Sequence, residues 1–124
     1  MNKVNSVREL DVYLTAFKLQ QEIFELSKGF PKEERYSLTD QIRRSSRSVG
    51  ANLSEAWAKR RYPAHFLSKL TDCDGELQET LHWLASAEAC GYLPEHIALT
   101  LRERASLVGR QLGSMINRYE YFCF

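Results

Sequence analysis

Apolar residues recur at three- and four-residue steps along four stretches of the chain, with no stretch alternating at a period of two. Such a step keeps side chains on one face of an α-helix, so the pattern predicts helices and no half-buried strand. The first stretch runs from about Ser6 to Lys28, with Leu10, Tyr13, Leu14, Phe17, Gln21, Phe24 and Ser27 in register. The second, from about Leu38 to Arg61, carries Leu38, Ile42, Ser45/Ser46, Val49, Leu53, Ala56 and Trp57. Phe66, Leu70, Cys73, Leu77, Leu81, Leu84 and Ala87 mark the third, from about Ala64 to Cys90. Ile97, Leu101, Ala105, Val108, Leu112, Met115, Tyr119 and Phe122 mark the fourth, from about Pro94 to Tyr121.

Pro31, Pro63 and Pro94 stand at the breaks, as expected of a residue that suits a first helical turn and ends a preceding helix. Gly29 is placed to close the first helix in the left-handed conformation, and Gly91 to stop the third. Ser37, with Asp40 three residues on, is placed to cap the second helix in a capping-box-like arrangement. Short connections make sequential helices antiparallel neighbours. The expected fold is all-α: one domain spanning residues 1–124, an antiparallel up-down-up-down four-helix bundle.

Composition narrows the setting. The apolar fraction of 44% suffices for one core, and the net charge of +1 excludes coating nucleic acid by bulk charge. Any basic surface must be local. No apolar run approaches the ~18 residues of a membrane span, and Met1–Ser6 lacks a leader's apolar segment. Cys73, Cys90 and Cys123 are odd in number and form no Cys-x-x-Cys, which points to reduced thiols packed as small apolar groups in a cytoplasmic protein. The aromatic end, Tyr119-Glu120-Tyr121-Phe122-Cys123-Phe124, is expected to pack on the bundle or on another subunit.

The second helix is the most informative stretch. Its middle is built from Ser45, Ser46, Ser48, Gly50 and Ala51, small enough for a neighbouring backbone to come close. Gly50 costs ~1 kcal/mol relative to alanine, which tertiary contacts have to offset. With the apolar stripe centred on Val49, Arg43, Arg44, Arg47 and Arg61 fall on the far side. Lys59, Arg60 and Arg61 add charge at the C-terminal end, where cations suit the helix dipole. Arginine forks match phosphate oxygens, so Arg43, Arg44, Arg47, Lys59, Arg60 and Arg61 are candidate nucleic-acid contacts. Tyr62 is placed to stack on an unpaired base. The plainer reading is a solvated face. Asn52 and Glu55, at the stripe's edge, are read as structural polar contacts across a helix–helix seam, because buried polar groups need partners.

Little else carries chemistry. The paired Glu-x-x-His motifs of di-metal bundles are absent, as are a Gly-x-Ser-x-Gly, a P-loop and a Gly-x-Gly-x-x-Gly. No catalytic residue, metal site or cofactor is expected. Asp72, Asp74, Glu76 and Glu79 make an acidic patch on the third helix, either solvated or a partner for basic residues of another chain.

Several segments resemble a known family. Phe30-Pro31-Lys32-Glu33-Glu34-Arg35-Tyr36-Ser37-Leu38-Thr39-Asp40-Gln41-Ile42-Arg43-Arg44-Ser45 resembles the first loop and second helix of the four-helix-bundle proteins encoded in intervening sequences of bacterial 23S rRNA genes. Ser48-Val49-Gly50-Ala51-Asn52-Leu53-Ser54-Glu55-Ala56 is similar to that family's Ser-Ile/Val-x-Ala-Asn-Ile-Ala-Glu-Gly pattern. Phe66-Leu67, Gly75-Glu76-Leu77-Gln78-Glu79-Thr80-Leu81 and Gly91-Tyr92-Leu93 continue it, so that the resemblance covers roughly residues 8 to 120. Ala56-Trp57 departs from the usual Gly-aromatic step, and Gly50 stands where proline is common. The resemblance implies an antiparallel four-helix bundle assembled as a ring-shaped homopentamer. It also implies similarity in fold to the accessory variability protein of diversity-generating retroelements, which binds nucleic acid and a reverse transcriptase. RNA association is inferred for the family mainly from where its genes lie.

Two functions fit these readings. One is a non-enzymatic oligomer that binds RNA or DNA through the arginine-rich face. The other is a structural or adaptor oligomer for a protein partner, its basic second helix meeting the acidic third helix of a neighbouring subunit.

Overall fold

The computed structural model describes residues 4–124; Met1, Asn2 and Lys3, part of the N-terminal stretch considered above for a leader, lie outside it. Four helices carry the fold: α1 (Asp11–Ser27), α2 (Leu38–Ala58), α3 (Pro63–Ala89) and α4 (Glu95–Asn117). Short 3-10 turns occupy Val7–Glu9, Lys32–Glu34 and Tyr119–Phe122, and no strand occurs among the described residues. Each helix packs on the next and α1 closes onto α4, with α2 and α3 sharing the most extensive seam. Partner positions run in opposite directions along the seams. Ser27 meets Arg43 where Tyr13 meets Gly50, and Thr80 meets Ser45 where Lys69 meets Asn52. Glu88 meets Arg102 where Leu77 meets Gly109.

On α2, α3 and α4 the core follows the predicted stripes. Ile42, Val49, Leu53, Phe66, Leu70, Leu77, Leu84, Leu101, Val108 and Leu112 are fully buried. Within the α2–α3 seam the Thr80 hydroxyl donates to Ser45 Oγ at 2.9 Å, which pairs two buried polar groups away from water. Gly50 is buried, yet a Cβ there would lie 3.7 Å from Tyr13 Cε1, an ordinary contact. No neighbouring backbone requires a glycine at that position.

The first helix departs from its expected orientation. Its core face is Val12, Ala16, Leu19, Ile23 and Ser27. Leu14 and Phe17, read from the sequence as core, are 54% and 45% exposed. Both stripes have helical spacing, and the one with the smaller residues turned inward.

The helix ends also differ. Gly29 is not left-handed; α1 tightens instead through successive i→i+3 bonds from Lys28, Gly29 and Phe30. Gly91 has φ 78°, and its N–H bonds Glu88 O while the Tyr92 N–H bonds Ala87 O, closing α3 as anticipated. Ser37 does not cap α2: its hydroxyl donates to Glu34 Oε1 at 2.6 Å. The Glu34 carboxylate takes over, accepting the Ser37 and Tyr92 hydroxyls and a backbone bond at Leu38, which together hold its pKa below the ordinary carboxylate value. α2 stops at Ala58, short of the expected Arg61, because the chain turns through a Tyr62 N–H to Lys59 O bond before Pro63 opens α3.

At the C-terminus Phe122 packs between Trp57 and Phe66, with ring centroids 6.4 and 6.2 Å away. Phe124 stays exposed. Cys73 is buried, and burial pushes its thiol up to about 12, whereas Cys90 is exposed at the end of α3, against the expectation of a packed thiol.

Candidate nucleic-acid interface

The outer face of α2 carries a groove of about 590 Å³, lined by Arg35, Tyr36, Thr39, Asp40, Arg43, Arg44, Arg47, Ser48 and Ala51. Its shape follows from the helix period. Arg43 and Arg47 are one turn apart and lean toward α1, while Arg44, one position round, leans toward α3. The Arg43 Nε donates to Ser27 Oγ at 2.7 Å, and its guanidinium lies 4.8 Å from the centre of the Phe24 ring. Arg47 lies 5.2 Å from the same ring. Lys28 Nζ also lies 4.8 Å from its centre, so Phe24 is a platform shared by three like charges. Arg44 bonds Glu79 Oε2 at 2.6 Å, with Glu76 at 3.9 Å.

That last pairing changes the reading of the acidic third helix. Glu76 and Glu79 face a basic residue of their own chain, so part of the acidic patch is already compensated. Arg44 remains half-exposed. Glu79-Thr80-Leu81-His82 does form one Glu-x-x-His, but Glu79 is engaged by Arg44, and among the described residues no three potential ligands converge.

Three of the basic residues singled out from the sequence meet in this groove, and the rest do not. Lys59, Arg60, Arg61 and Tyr62 lie beyond the far end of α2, roughly 20 Å along the helix from Arg47. Arg60 is held over the Trp57 ring at 3.7 Å, with the exposed Phe124 ring 5.1 Å away on its other contact, and burial lowers its pKa. It clamps the C-terminal aromatic segment. Lys59 and Arg61 are exposed, and Tyr62 packs against His65 at 5.6 Å between ring centroids.

Arg35 and Tyr36, which the periodicity left in a loop, join the groove instead. An arginine–aromatic pair one turn before a basic helix was the available signal. Asn52 and Glu55 lie at the α2–α3 seam around Lys69, whose ammonium reaches Asn52 Oδ1 at 3.2 Å and forms an ion pair with Glu55. The hydrogen bond and charge shared by Lys69 and Glu55 raise the Lys69 pKa and lower that of Glu55.

The model of the family described as 23S rRNA-intervening sequence protein matches residues 8–114. The chain belongs to that family. The match takes in all of α1, α2 and α3 and most of α4, and so the whole groove. Among solved structures, the family member is similar to a crystal structure, at 1.70 Å, of a protein of unknown function from the S23 ribosomal protein family of Bacteroides thetaiotaomicron VPI-5482. The two share 26% identity over 86% of this chain and 95% of that one, with a TM-score of 0.77. No curated protein matches the chain significantly. Among the described residues, no helix is long and apolar enough to cross a membrane.

Proposed function

We propose that the protein is a non-enzymatic, self-associating helical bundle that binds the phosphates of RNA or DNA in the α2 groove. One observation carries this: Arg35, Arg43, Arg44 and Arg47 line a single concavity on the start of α2. Guanidinium forks suit phosphate oxygens. The description of the family, which places its genes within 23S rRNA sequences, is consistent with an RNA partner. Of the hydroxyls that line the groove, that of Ser48 donates to Arg44 O at 2.7 Å.

Self-association is supported by Leu14 and Phe17, two large apolar side chains displayed on one face of α1. The second reading, an adaptor whose basic face meets acidic groups of a neighbouring subunit, draws on the Arg44 pairing with Glu76 and Glu79. The same chemistry within one chain serves equally well between two.

Fluorescence anisotropy with a labelled oligonucleotide, titrated at several salt concentrations, separates these readings. The triple change Arg43→Ala, Arg44→Ala, Arg47→Ala is expected to lower the slope of log affinity against log salt by roughly 2, at about 0.7 per strand phosphate contact. An unchanged slope in the folded triple variant rules out the groove as the site.

A further inference from the structure

The groove's exposed aromatic ring bears on which form of nucleic acid it accepts. Tyr36 stands at the mouth, 85% exposed, with the Arg35 guanidinium 5.6 Å from its ring centre. We propose, resting on the groove reading above, that Tyr36 is a base-stacking platform and that the groove prefers single-stranded to duplex nucleic acid.

The reasoning is geometric. In a duplex the base faces lie against one another, and a surface groove meets phosphates, sugars and base edges only. Arginines suffice for that, and an aromatic ring beside them contributes nothing. In a single strand the base faces are open, and a ring next to a phosphate contact gains a stacking partner of any sequence. Arg43 and Arg47 are spaced ~6 Å along α2, and Arg44 and Tyr36 line the same concavity, so a strand whose phosphates meet the arginines has the Tyr36 ring within the same groove.

The ring also stands on a fixed base. Ser37, the next residue, donates to Glu34, which accepts from Tyr92 as well, so the loop backbone is anchored on two sides. Only the side chain has to be ordered on binding, which keeps the entropic cost of stacking low. Tyr62, the stacking candidate read from the sequence, has no such setting: it lies at the other end of α2 against His65.

The test compares the intact protein with Tyr36→Ala and Tyr36→Phe, each checked for unchanged helicity. The probes are a short mixed-sequence RNA strand, the DNA strand of the same sequence, and the DNA duplex. Tyr36→Ala is expected to weaken single-strand binding roughly five- to hundredfold. Tyr36→Phe should keep it, and duplex binding should be the same for all three proteins. Loss on both single strands assigns the contact to the bases alone; loss on RNA only assigns the ligand to RNA. If Tyr36→Ala leaves single-strand affinity unchanged, or weakens strand and duplex alike, the stacking role is refuted while the groove stands. If the unmodified protein binds none of the probes, or the arginine triple variant binds them as well as it does, the groove reading falls and this inference with it.

Discussion

The Tyr92 hydroxyl donates to Glu34 Oε2 at 2.8 Å, joining two segments 58 positions apart in sequence. One partner lies in the turn between α3 and α4, the other in the 3-10 turn before α2. The contact ties together one end of the bundle, and it anchors the loop that presents Arg35 and Tyr36.

This pair predicts a pH dependence. Hydrogen bonds from Ser37 and Tyr92 lower the Glu34 pKa, so its contribution is present above the unfolded carboxylate value and disappears as pH falls through the lower folded value. The hydrogen bond to Glu34 raises Tyr92 to about 12, so its contribution is present below the ordinary phenol value and disappears as pH rises through about 12. In Tyr92→Phe the Glu34 titration, followed by NMR, should move back toward the ordinary carboxylate range. A phenolate step near pH 12 should vanish from the alkaline absorbance titration. Identical titrations in both proteins would refute the coupling.

Gly50→Ala should stabilise the protein by roughly 0.5–1 kcal/mol, the helix-propensity difference. The new Cβ meets Tyr13 Cε1 at 3.7 Å and Gln20 Oε1 at 3.8 Å, neither of which must move. Urea unfolding measures this directly. A lower midpoint would show that the α1–α2 seam needs the bare backbone after all.

Leu14→Gln together with Phe17→Gln should abolish self-association and leave the fold intact. Both side chains are exposed in the single chain, and the core face of α1 lies on the opposite side. Multi-angle light scattering gives the mass and circular dichroism the helicity. A double variant of unchanged oligomeric mass would place the subunit contact elsewhere.

The amphipathic stripes of α2, α3 and α4 were legible because each has one apolar face and one polar face, and only one orientation buries the former. On α1 two apolar stripes share the same helical spacing, and periodicity alone has no means of ranking them. Val12, Ala16, Leu19 and Ile23 turn inward, and Leu14 and Phe17 stay outside. The cap at Ser37 was misread for a related reason. A serine three residues before an acid is a local signal, while the carboxylate that won its hydroxyl is held by Tyr92 from the far side of the sequence.

For the candidate site the division is similar. Arg43, Arg44 and Arg47 were identifiable as one polar face of one helix, since helical geometry fixes neighbours within a turn or two. By itself the sequence determined the helix count, the three well-separated stripes, the left-handed stop at Gly91 and the family pattern. Tertiary packing decided the rest. It set Arg43 and Arg47 over Phe24, gave Arg44 to Glu79, drew Arg60 onto Trp57 and brought Arg35 and Tyr36 into the groove. Each of these depends on which groups different helices carry to the same place, and periodicity within one helix holds no information about that.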